Sequence, residues 1–331
     1  MGVKGILLFS GGLDSLIAAK LLMDQGIEMK GINFILPFVA PDINPKALKS
    51  SQLAEQIGLP LVHVRCGKEY MEIIKDPPHG HGKNINPCID CKIYFIRKAG
   101  ELMKEENAAF VATGEVVGQR PMSQLKQIMR HIEKQSGIEG RLLRPLSAKK
   151  LPPTIPEKEG LVDRSRLLEI NGRGRKEQME LAERYGISDY ESPAGGCLFT
   201  DRFIAERVRD LLDHNPGYSM TDVYLLSIGR HFRLHGDLKI IIARNEHENG
   251  ELLKNAGSAD CIIEPYFKGP AAFLRGPVSA EDIATASSMV VRYGKPHSGP
   301  PGLKINTAKN EPYHIDSPAP VSDSFLDTIR I

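Results

Sequence analysis

Two groups of residues in this chain have types and spacing suited to chemistry. The first is "SGGLDS", Ser10 to Ser15, where an apolar run breaks into two glycines followed by an acid and a hydroxyl. Gly11 and Gly12 can take backbone angles that other residues resist. Their N–H groups, with those of a following helix, make a nest for an anion, and the Ser10 and Ser15 hydroxyls add donors. Asp14 is an acid beside that nest, which makes sense if a Mg²⁺ ion bridges it to phosphate oxygens. The second group is thiols. Cys88 and Cys91 form a CxxC pair, and Cys197 follows two glycines in "ESPAGGCLFT". A CxxC spacing suits a metal, a cluster or redox chemistry better than packing. Cys66 closes a strand-like run and Cys261 begins one, so both read as core residues.

The elements that must position these groups follow from apolar spacing. Val3–Phe9 is a continuous apolar run, the mark of a strand buried on both faces. Leu13–Gln25 has helical spacing and stops at Gly26. Strand Met29–Leu36, helix Asn44–Gln56 and strand Pro60–Arg65 continue a β-α-β-α-β alternation, which implies a parallel α/β sheet with right-handed crossovers. The glycine loop then lies at the carboxyl end of a parallel strand, where open α/β sheets bind ligands. A long loop, Asp76–Asn86, precedes a helix Pro87–Glu106 with Asn86 as N-cap. Strand Ala108–Thr113, helix Met122–Gln135, strand Leu142–Leu146 and helix Lys176–Tyr185 complete this part. On the Pro87–Glu106 helix both CxxC cysteines face one side near the positive end, which favours their thiolates.

Size and composition narrow the class. The chain has 331 residues, 41% hydrophobic and 25% charged, enough for about two domains. It has no run of about 18 apolar residues, and no charged-then-apolar leader pattern, so a cytoplasmic protein is expected. An odd count of five cysteines argues against a disulfide framework. The net charge of +2 says little, but Arg120 to Lys176 holds 14 basic and 6 acidic residues. That stretch is either a solvated surface or a band suited to a polyanion such as RNA.

"SGGLDS" resembles the SGGxDS loop of the PP-loop, or N-type, ATP pyrophosphatases. There is no Walker GxxxxGK[ST] and no GxGxxG. The resemblance implies cleavage of ATP between its α and β phosphates, adenylation of a carbonyl oxygen, and displacement of AMP by a nucleophile. It implies that Ser10, Gly11, Gly12, Asp14 and Ser15 hold pyrophosphate, that Phe34 packs the adenine, and that Gly114 lies near the ribose and α-phosphate. "NPCIDCKIYF" and "ESPAGGCLFT" resemble segments of the tRNA 2-thiouridylases, and "TGEVVGQRPMSQ" with "LLRPLS" resembles tRNA 4-thiouridine synthetases. These likenesses cover about residues 1 to 200.

The sequence has two cysteines where 2-thiouridylases often carry one. A CxxC plus a distal cysteine is also found in cluster-dependent tRNA thiolases, where three thiolates bind a [4Fe–4S] cluster and leave one iron open for sulfide. The resemblance therefore implies two routes for Cys88, Cys91 and Cys197: a persulfide released by disulfide formation, or a cluster. The count of three favours the cluster. Pro87 and Pro193 would stiffen the two segments, and Gly195 and Gly196 would let the backbone approach.

His79 and His81 offer a metal site, though a Gly-hinged lid is the better reading of their loop; Lys83 there either meets phosphate or is simply solvated. "RHFRLHGDLKIIIARNEHEN" reads as two strands around a Gly-Asp turn, with Arg230, Arg233 and Arg244 near turns. It resembles the NFACT-R module, associated with RNA binding, with Ala243 where glycine is usual.

The expected organisation is a PP-loop domain over 1–200, an NFACT-R-like α+β domain over 201–300 and a proline-rich tail over 301–331. The expected function is ATP-dependent tRNA thiolation, with ATP, Mg²⁺ and a [4Fe–4S] cluster as cofactors, and tRNA and a sulfide or persulfide donor as partners. The alternatives are a PP-loop ligase or sulfurtransferase acting on a small molecule, and a non-catalytic RNA-binding protein.

Overall fold

The computed structural model describes residues 2–190, 197–295, 302–308, 311–316 and 318–331. Pro193, Gly195 and Gly196 lie outside them. The chain forms two compact units, one of residues 1–36 and 42–200, the other of residues 37–41 and 201–331. Among the described residues no helix is long and apolar enough to cross a membrane.

The first unit holds β1 (Lys4–Leu8), α1 (Leu13–Met23), β2 (Glu28–Ile35), α2 (Lys49–Gln56), β3 (Leu61–Arg65), α3 (Lys68–Lys75), α4 (Cys88–Glu105), β4 (Phe110–Thr113), α5 (Lys126–Gln135), β5 (Leu142–Leu143), α6 (Ile155–Lys158) and α7 (Lys176–Arg184). The strands run β3-β2-β1-β4-β5 and every pairing is parallel, so the expected α/β sheet is present. Helices cover both faces. Leu7, Phe9 and Phe110 belong to one core with Leu16 and Leu22 of α1, while Ile6, Ile32 and Val111 belong to another with Ile93 and Ile96 of α4. The chain order reverses between β1 and β4, which makes the gap beyond their carboxyl ends the topological switch point.

Four elements differ from the sequence expectation. The expected helix from Asn44 is a short 3₁₀ turn, Pro45–Ala47, before α2 begins at Lys49. Helix α3 is an addition: Tyr70, Met71 and Ile74 bury one face of it, but its eight residues sit between a strand and a loop rich in turn formers. The expected helix from Met122 begins only at Lys126, and the expected strand to Leu146 is two residues long.

The second unit holds α8 (Arg202–His214), α9 (Met220–Leu225), β6 (Arg230–His235), β7 (Leu238–Ile242), α10 (Glu246–Lys254), β8 (Cys261–Pro265), β9 (Ala272–Arg275), α11 (Ala280–Tyr293), β10 (Gly302–Thr307), β11 (Tyr313–Asp316) and α12 (Asp323–Ile329). Its sheet is antiparallel, in the order β11-β10-β8-β9-β7-β6. The described residues of 302–331 are thus not a tail. Leu303 and Ile305 of β10 and Leu326 of α12 are fully buried against Phe232, Ile240 and Ile263. The period-2 alternation of "GLKIN" is a strand signal, but it is short and flanked by prolines, which mark chain breaks more loudly.

Candidate active site

A cleft of about 340 Å³ opens at the switch point. Ser10, Asp14, Ser15, Phe34 and Gly114 line it, together with Lys92, Phe95, Glu115, Gln119, Arg120 and Gln124. Five of the seven residues expected at a nucleotide site therefore meet in one cavity. Gly11 and Gly12 are part of the same loop without lining the cleft. Gly11 is buried at φ +79°, and a Cβ there would stand 3.0 Å from the Ser50 Cα of α2. Gly12 has the ordinary φ of −75° and caps α1.

The loop is held from within and from below. Ser15 Oγ donates to the Gly12 carbonyl at 2.8 Å and lies 3.4 Å from Ser10 Oγ, and the Gly12 N–H donates to Ser10 Oγ at 3.3 Å. Asn33 of β2, itself buried, donates to the Phe9 carbonyl at 2.8 Å and fixes where β1 ends. Gly114 allows the end of β4 to press on the Asp14 backbone. The Phe34 ring stacks on Phe95 of α4, centroids 4.4 Å apart, and makes the apolar wall.

Asp14 is the polar centre. Its Oδ2 accepts from Gln119 Nε2 at 3.1 Å, and Arg175 lies 3.9 Å away. Among the described residues its buried Oδ1 has no hydrogen-bond partner, nor has Gln124 Oε1. A buried carboxylate oxygen left unpaired costs free energy unless something binds it, and a hard cation is the partner its chemistry suits. Beneath the cleft Glu115 lies between Lys92 at 3.1 Å and Arg144 at 3.3 Å. Burial opposes its ionisation, but Lys92 and Arg144 prevail and hold its carboxyl below the usual range.

Two of the three thiols stand on the same helix as Phe95. Cys88 and Cys91 lie in the first turn of α4, which also supplies Lys92 and Phe95 to the cleft. The loop before α4 is tied to the turn that carries Cys197: the Ile85 N–H donates to the Phe199 carbonyl at 3.2 Å, and Asn84 Nδ2 to the Thr200 carbonyl at 2.6 Å. The two cysteine segments are thereby brought together, and Cys197 and Cys88 each act electrostatically on Cys91.

Their environment corrects one expectation. Burial pushes the Cys91 thiol up to about 12, against the pull of its hydrogen bond to Tyr70 Oη at 3.2 Å, and outweighs the helix end. Cys197 is exposed, yet local desolvation of its thiol also shifts it upward. Asn86 is not the N-cap. Pro87 holds that position, and Asn86 Nδ2 donates to Cys88 Sγ at 3.1 Å. Three thiols suit a cluster by kind, but among the described residues no three His, Cys, Asp or Glu side chains converge as a ligand set.

His79 and His81 do not act together. His81 contacts the Ile74 carbonyl, while His79 bridges Asp90 Oδ1 and His131 Nε2, each at 2.7 Å. Cys66 and Cys261 are buried, as expected of core residues. Much of the basic stretch is taken up internally: Arg144 is buried, Arg164 donates to the Ala148 and Leu151 carbonyls, and Arg166 to the Asp24 carbonyl.

Glu115, Gln119 and Gln124 were legible in principle, because all three stand in "TGEVVGQRPMSQ". Lys92 is the residue after the CxxC. Tyr70 and Arg175 carry no sequence signal of their role.

Comparison with known proteins agrees with the motifs. Residues 2–150 match the family model described as Thiamine biosynthesis protein (ThiI). Residues 229–323 match that of the NFACT protein RNA binding domain. The tRNA-specific 2-thiouridylase MnmA of Chlorobium phaeovibrioides is 27% identical over 237 residues, which cover 67% of this chain and 62% of the relative. A probable tRNA sulfurtransferase of Ureaplasma urealyticum is 33% identical over 121 residues, covering 35% of this chain and 30% of the relative. The chain thus spans less than two thirds of the length of these relatives. Among solved structures, the U34-tRNA thiolase NcsA of Methanococcus maripaludis with its [4Fe–4S] cluster is 17% identical with a TM-score of 0.31, covering 68% of this chain and 70% of that one. The PP-loop and NFACT-R resemblances are both borne out.

Proposed function

We propose that the chain is an ATP-dependent tRNA sulfurtransferase. ATP binds in the switch-point cleft, with its phosphates on the Ser10–Ser15 loop and its adenine against Phe34. Gly114 keeps the ribose side open. Asp14, through Oδ1, would hold a Mg²⁺ ion that neutralises pyrophosphate. A nucleobase carbonyl oxygen attacks the α-phosphate and pyrophosphate leaves. A sulfur nucleophile then attacks the base carbon, and the former carbonyl oxygen departs with AMP. Preorganised N–H groups of the loop stabilise the charge that develops on the leaving pyrophosphate.

The observation that carries this reading is that one helix bears both the paired thiols and part of the cleft lining. α4 presents Cys88 and Cys91 from its first turn, and Lys92 and Phe95, one turn on, to the cleft. An ATP-dependent ligase using ammonia has no need of thiols there. We assign Cys88, Cys91 and Cys197 to sulfur handling, by a [4Fe–4S] cluster or by a persulfide. The sulfur itself comes from a sulfide or persulfide carrier. The second unit is assigned to RNA capture, on the strength of its NFACT-R match.

The test is turnover of purified protein with ATP, Mg²⁺, sulfide and unmodified tRNA, followed by nucleoside mass spectrometry. A thiolated base with equal AMP is the expected result. AMP formation that depends on a small-molecule acceptor but not on tRNA would replace the reading with the small-molecule alternative.

A further inference from the structure

The arginines of the second unit that sequence reading put near turns are engaged within it. Arg233 grips Asp210 with two bonds of 2.8 and 2.9 Å, Arg244 pairs with Glu248, and Arg230 donates to the Ala243 carbonyl and lies over the Tyr293 ring. An RNA-binding surface must be sought elsewhere on the unit.

The outer edge of its sheet supplies one. Tyr266, just past β8, is 61% exposed, more than any other large apolar or aromatic residue among those described. Its ring is held in place. Gly302, opening β10, leaves room for it, since a Cβ there would stand 2.9 Å from Tyr266 Cδ2. The phenol hydroxyl meets His314 of β11, with ring centroids 5.4 Å apart and planes 38° from parallel. Lys304 is registered opposite both His314 and Glu264, on the face of β10 away from the buried Leu303 and Ile305. Its ammonium is 3.8 Å from Glu264, whose carboxylate also accepts from Asn306, so Lys304 is placed without being enclosed. Lys268, two residues after Tyr266, is exposed.

An exposed aromatic ring fixed in orientation, with Lys304 on the same face of the sheet and Lys268 two residues along the chain, is a poor protein core and a good stacking platform. Bases of unpaired RNA present a π-face of about the size of the ring, and the phosphates between them need cations within a nucleotide's reach. Duplex RNA hides those faces.

The geometry points to Tyr266 and His314 as a stacking site for unpaired nucleotides of the RNA, with Lys304 and Lys268 on its phosphates. This rests on the RNA role proposed for the second unit and narrows it to single-stranded segments. Tyr266 supplies the face, His314 keeps the ring from rotating away, and the β10–β11 edge holds both.

The test is fluorescence anisotropy on the full chain with a labelled 12-nucleotide single strand and a duplex of the same sequence. Tyr266→Ala should weaken single-strand binding about 5- to 150-fold, the range for losing one stacked base, and leave duplex binding unchanged. Tyr266→Phe, which keeps the ring, should bind as wild type. Lys304→Gln should lower the salt slope by about one, whereas Tyr266→Ala should not change it. Equal single-strand affinity for wild type and Tyr266→Ala would overturn the site, as would a loss shared equally by duplex. Failure of the wild-type chain to bind any RNA would instead remove the RNA role of the second unit.

Discussion

Gly114, at the end of β4, stands so close to Asp14 that a Cβ would lie 2.6 Å from the Asp14 carbonyl carbon and 2.7 Å from the Ser15 nitrogen. Both are backbone atoms of the Ser10–Ser15 loop, so neither can swing aside. The glycine lets two strand ends converge on either side of the switch point. Gly114→Ala must push the loop away from β4. Overpacking of this kind costs about 1–3 kcal/mol, and the displacement falls on the atoms proposed to meet pyrophosphate. The expected outcome is a modest drop in melting temperature with loss of ATP binding by calorimetry. A variant that binds ATP at wild-type affinity would show that the loop does not need this position.

Substituted at Asp14, the chain should lose function with almost no change in stability. The Asp14 Oδ1 is buried and unpartnered among the described residues, a cost to the fold that the proposed metal-binding role would offset. Asp14→Asn removes the charge and keeps the shape and the bond from Gln119. Stability should stay within about 1 kcal/mol of wild type, while Mg²⁺-dependent release of AMP and pyrophosphate falls by orders of magnitude. A large loss of stability with turnover retained would make Asp14 a structural residue.

Most of the first unit could be read from its sequence, because its strands are continuous apolar runs and its helices carry clear stops. Phe34 and Gly114 came from the family resemblance rather than from spacing; they line one cleft with Ser10 and Asp14, since in a parallel sheet all carboxyl ends share one edge. What could not be read was the support beneath. Arg175 reaches Asp14 across 161 positions of sequence, and Tyr70 reaches Cys91 from a helix the spacing did not reveal. Such pairings depend on tertiary packing, which leaves no local periodicity. In the second unit prolines near β10 masked a strand whose alternate residues complete the core.

The thiols separate the two sulfur routes. Protein purified without oxygen should be brown and hold about four irons per chain if a [4Fe–4S] cluster forms. Cys88→Ala, Cys91→Ala and Cys197→Ala should each lose the iron. Cys66→Ala is the control: that thiol is buried near Cys91, which helps burial raise it to about 12, and the variant should keep its iron. Iron-free anaerobic protein that still thiolates tRNA would leave the persulfide route alone.

The second unit should lose stability in mild acid through one residue. His231 of β6 is fully buried and donates from Nε2 to the Ile228 carbonyl at 2.7 Å. Burial, then Lys239 and Arg207, push its pKa well below 6.5, so it folds neutral. In the unfolded chain it titrates near 6.5. As pH falls through that value the unfolded state takes up a proton that the folded state refuses. Its contribution is therefore complete above about pH 6.5 and is lost below it, at up to about 1.4 kcal/mol per pH unit. The carboxylates held low, Asp210 by Arg233 and Lys239 against the opposing effect of burial, fail only at lower pH. His63, also lowered by burial, adds a slope of the same sign from the first unit. His231→Gln should accordingly flatten, without abolishing, the fall in denaturant midpoint of the second unit between pH 6.5 and 5. The slope is the readout, since the substitution can also lower stability uniformly. An unchanged slope in His231→Gln would mean that this histidine does not govern the acid response.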